Sequence, residues 1–179
     1  TEGYKTSFFQ SLPIIQDSSS ITNSFSVSAY HDYSEDVIGS IKYQLQTIHG
    51  VDTDVRLSER KYISSRKLRG FVKGKVGPKD GSDWIGGNYV TGLSAEAQLP
   101  NLLPESYKTD FGVYLDTANV WGVDYSDSVN DSNKLRSSIG IAANVFTPIG
   151  PLSWTLSQAI TKASTDATET FNFNIGTSF

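Results

Sequence analysis

The chain has 179 residues, enough for one domain, with 37% hydrophobic residues and a formal net charge of -4 at pH 7. The negative charge gives no electrostatic support to a nucleic-acid partner, so no such partner is expected. Cysteine is absent, which excludes a disulfide framework and a thiolate metal site. The mean hydropathy is -0.29, and no segment approaches the roughly 18 consecutive apolar residues of a membrane helix.

Eight segments alternate apolar and polar residues with the period of two that is typical of strands. The third segment, for example, sets Ile41, Tyr43 and Leu45 against Lys42 and Gln44. Alternation of this kind hides the apolar residues of a membrane strand from a hydropathy average. The predicted strands span residues 3–12, 22–33, 37–50, 88–99, 108–121, 135–146, 152–160 and 170–179.

The connections between these segments alternate between long loops and short turns. That connectivity predicts an all-β fold, an antiparallel up-and-down transmembrane β-barrel with loops at one rim and turns at the other. Trp84, Tyr89, Trp121 and Tyr125 lie at predicted strand–loop boundaries, where aromatic girdles of such barrels occur. A soluble β-sandwich is the alternative, but it requires neither regular loop alternation nor an aromatic C-terminus.

The C-terminal segment carries the clearest alternation. Phe171, Phe173, Ile175 and Phe179 fall on one face. The other face carries polar or small residues: Asn172, Asn174, Gly176 and Ser178. Chain ends usually fray, so a strand with two such different faces at the end of the chain is unusual for a soluble fold. It is expected instead to be a wall element of a membrane barrel. Its apolar face would meet lipid and its polar face the lumen.

The predicted loop at residues 51–87 is long and strongly basic. Loops of this length are usually functional or disordered. A barrel of eight strands has room only for its own side chains, so a loop that folds inward requires a larger one. We therefore expect the C-terminal half of a barrel of about sixteen strands, with a small self-closed barrel as the alternative. The basic residues of the loop are Arg56, Arg60, Lys61, Arg66, Lys67, Arg69, Lys73, Lys75 and Lys79.

Strand parity directs two carboxylates into the lumen. Ala95 and Ala97 face lipid, which turns Glu96 inward, and Leu115 faces lipid, which turns Asp116 inward. Two inward carboxylates on adjacent strands and a basic loop predict an arginine–carboxylate clamp, because a guanidinium binds a carboxylate bidentately and stays charged.

Several motifs in this order resemble those of the BamA and bacterial surface antigen family, over the whole chain. Residues 60–71 are similar to the segment that leads into the family's Arg-Gly-Phe/Tyr loop motif, with Leu68 where many members have Val. Residues 114–121 are similar to the family's aromatic-Asp-x-Gly-x-Val-Trp strand, with Ala118 in place of Gly. The matching segments are 60–71, 85–88, 95–96, 114–121, 136–141, 148–152 and 170–179.

The resemblance implies a barrel of about sixteen strands preceded by periplasmic repeat domains. The chain begins at Thr1 without a signal sequence, so the first half of the barrel, the repeats and the targeting segment are expected upstream. The resemblance also implies that the loop folds back into the lumen. Its clamp residues would be Arg69, Gly70 and Phe71 of the loop motif with Glu96 and Asp116 of the wall.

The family's seam lies between the first and last barrel strands, so the resemblance implies that the terminal segment is the seam strand. Its residues here would be Phe171, Phe173, Ile175, Gly176 and Phe179. An edge strand exposes N–H and C=O groups that can template another strand. The expected function is therefore assembly and insertion of outer-membrane proteins by strand pairing at this seam.

The expected partners are outer-membrane lipid, unfolded outer-membrane protein clients and accessory lipoproteins, and the expected location is the bacterial outer membrane. Two alternatives remain. A related barrel could secrete a partner or passenger protein across the outer membrane, and a passive porin would lack the Arg-Gly-Phe plug.

Neither catalysis nor a cofactor is expected. His31 and His49 lie on neighbouring predicted strands with Ser and Asp nearby, from which a barrel lipase could be built, but serine is abundant throughout the chain. No paired histidine spacing supports a metal site. The glycine-rich stretch 74–87 lacks the Gly-Lys-Ser/Thr ending of a phosphate-binding loop.

Overall fold

The structure is a computed structural model that describes residues 2–13, 19–131, 133–148 and 150–175. Short 3-10 helices lie at Leu57–Glu59 and Glu105–Tyr107. No helix in these ranges is long and apolar enough to cross a membrane. The strands are β1 Gly3–Ser11, β2 Ser20–Ser34, β3 Val37–Gly50, β4 Lys79–Asp80, β5 Asp83–Trp84, β6 Tyr89–Leu99, β7 Thr109–Trp121, β8 Arg136–Thr147, β9 Gly150–Thr161 and β10 Phe171–Ile175.

Eight strands form one antiparallel sheet in the order β1-β2-β3-β6-β7-β8-β9-β10. The remaining two, β4 and β5, form a small hairpin within the loop between β3 and β6. The predicted antiparallel up-and-down order is thus confirmed, and the first seven predicted strands differ from the observed ones by only a residue or two at each end. In the described part of the chain the sheet is open, with β1 and β10 at its edges, as fits part of a barrel.

The register aligns apolar side chains into rows that cross the sheet on one face, here called the outer face. Directly paired residues make up each row. Many of their large side chains are exposed in this chain and others are half-buried, as expected for a surface that meets lipid. One row runs from β2 to β8 through Ala29, Ile41, Ala95, Leu115 and Ile139.

The loop between β3 and β6 packs against the opposite, inner face. It buries apolar side chains there, and the resulting cluster is the hydrophobic core of the described residues. This burial holds the loop in place, since removing a large apolar side chain from water contributes about 1.5–3 kcal/mol. The cluster combines loop and strand residues: Ile63, Leu68, Phe71, Val76, Val90, Ala118 and Val120.

The aromatic residues at the loop rim divide into two groups. Tyr89 and Trp121 end their strands opposite each other, with ring centroids 5.5 Å apart. Trp84 and Tyr125 do not lie at the ends of strands of the eight-stranded sheet, so this part of the expectation is wrong. Trp84 belongs to the loop hairpin, where its indole N–H donates to the carbonyl of Thr165 at 3.0 Å, and Tyr125 lies within the β7–β8 loop. The hydroxyl of Tyr125 donates to Oδ2 of Asp80 in the β3–β6 loop at 2.7 Å. Both aromatic side chains thus take part in contacts between loops, which strand periodicity does not reveal.

Candidate functional site

Two neighbouring strands present the predicted carboxylates on the inner face. Glu96 on β6 is paired with Tyr114 on β7, and Asp116 on β7 is paired with Ser94 on β6. The side chain of Asp116 is 0% exposed and that of Glu96 is 10% exposed. Burial of this degree makes an unpaired charge costly, so both carboxylates need partners.

A turn in the loop brings Arg69 to these carboxylates. The carbonyl of Ser64 accepts hydrogen bonds from the backbone N–H groups of Lys67 at 2.9 Å and Leu68 at 3.1 Å. Gly70 then adopts a φ of 86°, in the left-handed region that favours glycine. A Cβ at this position would lie 2.9 Å from the Cβ of Ser157. A glycine after the arginine therefore serves both the backbone conformation and the close approach to β9.

Arg69 bridges the two carboxylates. Its Nε donates to Oδ2 of Asp116 at 2.8 Å, and its Nη2 donates to Oδ1 of the same carboxylate at 2.8 Å. Its Nη1 donates to Oε2 of Glu96 at 2.9 Å. The backbone N–H of Arg69 also donates to Oδ2 of Asp116, at 3.0 Å. The structure thus brings together the arginine and both carboxylates, in a bidentate geometry that lysine cannot reproduce.

The ring of Tyr114 closes another side of the arginine site. Cζ of Arg69 lies 3.4 Å from the centroid of this ring, a cation–π contact. The hydroxyl of Tyr114 lies 2.5 Å from Oγ of Ser157. Gly140 makes room for the ring, because a Cβ there would lie 2.4 Å from the tyrosine hydroxyl. Tyr114 lies two residues before Asp116 on the same strand, so parity turns its ring inward as well. Parity does not identify this contact, because the position of Tyr114 opposite Glu96 follows from the register between two strands.

The surroundings favour the charged form of Arg69. Burial of the guanidinium opposes its charge, but the hydrogen bonds and charges of Asp116 and Glu96 outweigh that effect and raise the pKa of Arg69. An ordinary guanidinium already stays protonated throughout the physiological range. The arginine is therefore a permanent charge in this site.

A second buried arginine, which sequence reasoning did not identify as a site residue, ties the next loops to the wall. The side chains of Arg136 at the start of β8 and of Asp166 in the β9–β10 loop are both 0% exposed. Nε of Arg136 donates to Oδ2 of Asp166 at 2.9 Å, and its Nη1 donates to Oδ1 of Asn119 at 2.6 Å. Asp166 also accepts the backbone N–H of Gly77 at 3.2 Å, which joins the β3–β6 loop to the β9–β10 loop.

A third arginine joins the β3–β6 loop to the β7–β8 loop. Arg60 donates to Asp124 and, at 3.2 Å, to Oδ1 of Asn88. Burial opposes the charge of Asp124, but hydrogen bonds from the backbone N–H of Val55 and from the side chains of Asn88 and Arg60 outweigh it and lower the pKa of Asp124. Of the basic residues in the predicted loop, Arg60 and Arg69 thus make structural ion pairs.

The terminal strand β10 bonds to β9 in the described sheet. The backbone N–H of Ser157 donates to the carbonyl of Thr170 at 2.8 Å. Hydrogen-bonded and non-bonded pairs alternate along an antiparallel ladder, so bonded pairs with β9 recur at Asn172 and Asn174. The backbone polar groups that point away from β9 belong to Phe171, Phe173 and Ile175. The predicted seam residues Gly176 and Phe179 lie outside the described residues.

The two histidines lie at opposite ends of the β2–β3 pair. His31 pairs with Gly39, and its Nδ1 lies 2.8 Å from Oε1 of Glu2. His49 pairs with Ile21 and packs edge-on against Tyr89. Among the described residues, no group of three or more His, Cys, Asp or Glu side chains could hold a metal ion.

The chain is similar to known outer-membrane proteins. The sequence profile of the Omp85 superfamily domain matches residues 1–179. The outer membrane protein assembly factor BamA of Neorickettsia risticii (strain Illinois) is 31% identical over 116 residues, covering 63% of this chain and 16% of that protein. The BamA of Neisseria meningitidis serogroup B is 26% identical over 139 residues, covering 63% of this chain and 17% of that protein.

A solved structure has the same fold. The crystal structure of BamA from Haemophilus ducreyi lacking POTRA domains 1-3 aligns with a TM-score of 0.83 and 25% sequence identity, over 96% of this chain and 38% of that chain. The present chain spans only 16% to 17% of the length of the two curated relatives. The expected resemblance is confirmed: the chain belongs to the Omp85 superfamily and forms part of an integral outer-membrane β-barrel.

Proposed function

We propose that this chain takes part in the assembly and insertion of outer-membrane β-barrel proteins by strand pairing at β10. The observation that carries the proposal is the edge of β10, where the backbone groups of Phe171, Phe173 and Ile175 point away from β9. Support also comes from the relatives, which are outer membrane protein assembly factors by name.

The proposed mechanism exchanges hydrogen bonds and involves no covalent chemistry. A client strand adds to the edge of β10. Each backbone pair that it forms supplies hydrogen bonds to N–H and C=O groups for which lipid offers no partner. The apolar side chains of Phe171, Phe173 and Ile175 remain on the lipid side, and the amides of Asn172 and Asn174 remain on the lumen side. On this proposal, Gly176 and Phe179 extend the same pairing strand.

The proposed role of the Arg69 clamp is to hold the loop as a plug on the inner face. Gly70 allows the close approach to β9, and Phe71 is 1% exposed within the apolar cluster. Glu96 and Asp116 fix the arginine on the wall. A fixed plug keeps the inner face in one conformation while the edge strand changes partners.

The whole protein is proposed to contain further parts. In this proposal, strands from outside this chain complete the sheet to a barrel of about sixteen strands, and periplasmic repeats also lie outside this chain. Outer-membrane lipid, unfolded client proteins and accessory lipoproteins are the proposed partners. No catalytic step, metal or cofactor forms part of the proposal.

Disulfide trapping in the intact membrane protein tests the pairing. These 179 residues contain no cysteine, so a single cysteine placed among them has no competing thiol in this part of the protein. We would place one at Ile175→Cys and scan cysteines along the terminal strand of a client protein. Ile141→Cys is the matched control, since it also faces outward but lies on β8, which is paired on both sides.

The proposal predicts a periodic set of cross-links from Ile175→Cys and none from Ile141→Cys. Paired strands bring opposite Cα atoms to about 4.5–5.5 Å, within disulfide reach. Cross-links at no register during client assembly would contradict strand pairing. Cross-links to a protein that then leaves the membrane would favour secretion instead.

A further inference from the structure

The part of the loop that follows the clamp runs alongside the chain that leads into β10. The backbone N–H of Val72 donates to the carbonyl of Ala167 at 2.9 Å, and the N–H of Ala167 donates to the carbonyl of Lys75 at 3.0 Å. Phe71 and Thr168, which are the next residues toward the clamp, form an antiparallel bridge. The loop and the approach to the terminal strand thus share a short antiparallel ladder.

Glu169 continues this contact onto the terminal strand itself. Its backbone N–H donates to the carbonyl of Gly70 at 3.1 Å. Its Oε1 accepts a hydrogen bond from Nδ2 of Asn172 at 2.9 Å, and Oδ1 of Asn172 accepts one from Nδ2 of Asn174. A chain of hydrogen bonds therefore runs from the clamp glycine, through Glu169, along the inner face of β10.

The two ends of β10 are held differently. At the Phe171 end, the strand bonds to β9 and is also tied to the loop through Glu169 and Asn172. At the Ile175 end, which is the last residue of the strand that the structure describes, β9 supplies the backbone contacts within the described sheet. The tied end needs two sets of bonds to break, so it is the harder end to release.

We propose that Glu169 is a positioning residue for the terminal strand: seated on the clamp loop, it fixes the Phe171 end of β10, so that pairing with a client strand begins at the Ile175 end. The order of pairing rests on the proposed function. The hold of Glu169 on β10 does not, since it concerns this chain alone.

Amide hydrogen exchange in the intact membrane-embedded protein measures the hold without any client. Glu169→Ala removes the carboxylate that Asn172 bonds. The backbone amide of Asn172 should then exchange about tenfold faster, which corresponds to the lower end of the range for one hydrogen bond to a charged group. Glu169→Gln keeps an acceptor oxygen and should stay within about twofold of the parent protein. Asp127→Ala, which removes an exposed carboxylate from the β7–β8 loop, is the control and should leave Asn172 unchanged.

A double-mutant comparison separates this contact from general loosening. Asn172→Ala removes the same bond from the other side, and it also serves if Glu169→Ala fails to insert. Combined with Glu169→Ala it should add little to the change in exchange at residue 172, because the two side chains act as one unit. Three results would overturn the positioning role: fully additive effects of the two substitutions on exchange, unchanged exchange in both single variants, or equally accelerated exchange across β8 and β10.

Cross-linking to a client tests the order of pairing. With cysteines at Phe171 or Ile175, the parent protein should trap clients at least about tenfold more at Ile175, and Glu169→Ala should narrow that ratio toward one. A ratio near one in the parent protein would overturn the order of pairing. Cross-links at neither position in any variant would defeat the proposed function, while the exchange experiment would still decide the role of Glu169.

Discussion

Removing the guanidinium of Arg69 should weaken the attachment of the loop to the inner face. In Arg69→Ala, Asp116 is left without its bidentate partner at a site that is 0% exposed. Breaking a buried ion pair in this way costs about 3–5 kcal/mol. Two contacts of Asp116 remain, from Oγ of Ser94 at 2.7 Å and from the backbone N–H of residue 69 at 3.0 Å. These partly satisfy the carboxylate, so the lower end of the range, about 3 kcal/mol, is expected.

Hydrogen exchange at the Val72 amide reads out this change, since that amide bonds to the carbonyl of Ala167 only when the loop is seated. A loss of about 3 kcal/mol corresponds to exchange that is faster by somewhat more than a hundredfold. Arg69→Lys keeps the charge but not the planar fork, and it should fall between the parent and Arg69→Ala. Arg56→Ala removes an exposed arginine from the same loop and should change exchange by less than about twofold. Equal exchange in Arg69→Ala and Arg56→Ala would refute the clamp.

Three further predictions concern the surrounding contacts. Arg136→Ala should destabilise the β9–β10 loop by about 3 kcal/mol, measured by exchange of its amides, because Asp166 loses its buried arginine partner and keeps, among the described residues, only bonds from backbone N–H groups. Gly140→Ala should destabilise the sheet by about 1–3 kcal/mol in urea unfolding, because the added Cβ would overlap neighbouring atoms. Asp124→Asn should remove the acid sensitivity of the β7–β8 loop. The folded pKa of Asp124 lies below the ordinary 3.8, so its stabilisation is complete above 3.8 and is lost as pH falls through the folded value.

Each of these predictions has a control. For Arg136→Ala the control is Lys162→Ala, which alters an exposed residue of the β9–β10 loop and should leave the exchange of the other amides of that loop unchanged. Gly92→Ala places a Cβ 3.4 Å from the nearest atom, so it should cost much less than Gly140→Ala, and equal costs would contradict the steric argument. The acid response of the β7–β8 loop should survive in Asp127→Ala. If it also survived in Asp124→Asn, Asp124 would not be its source.

The wall of the barrel could be predicted from sequence because alternation is a local property. Ala95 and Leu115 each determine the facing of the residue beside them, and that placed Glu96 and Asp116 on the inner face without knowledge of the register. The register then determines only which inward residues are neighbours. It placed Tyr114 opposite Glu96, a pairing that no single strand contains.

The contacts between loops could not be predicted in this way. Arg136 and Asp166 are joined across irregular segments that have no period, so nothing local marks them as partners. The same holds for Trp84, which lies near the start of a predicted strand in sequence but packs on the β9–β10 loop in space. Arg69 was selected among the basic loop residues only through the family resemblance, because composition does not distinguish one arginine from another.

The edge of the terminal strand is tested most directly by a proline at Phe173. Its backbone N–H points away from β9, so Phe173→Pro removes a donor needed by an incoming strand and spares the ladder with β9, and proline is tolerated on edge strands. Phe173→Ala removes the same side chain and keeps the donor. Slow exchange of the β10 amides in both variants would show that the strand remains paired with β9. The rate of client insertion into membranes should then fall in Phe173→Pro and stay close to that of the parent protein in Phe173→Ala. Equal insertion rates in the two variants would contradict strand pairing at β10.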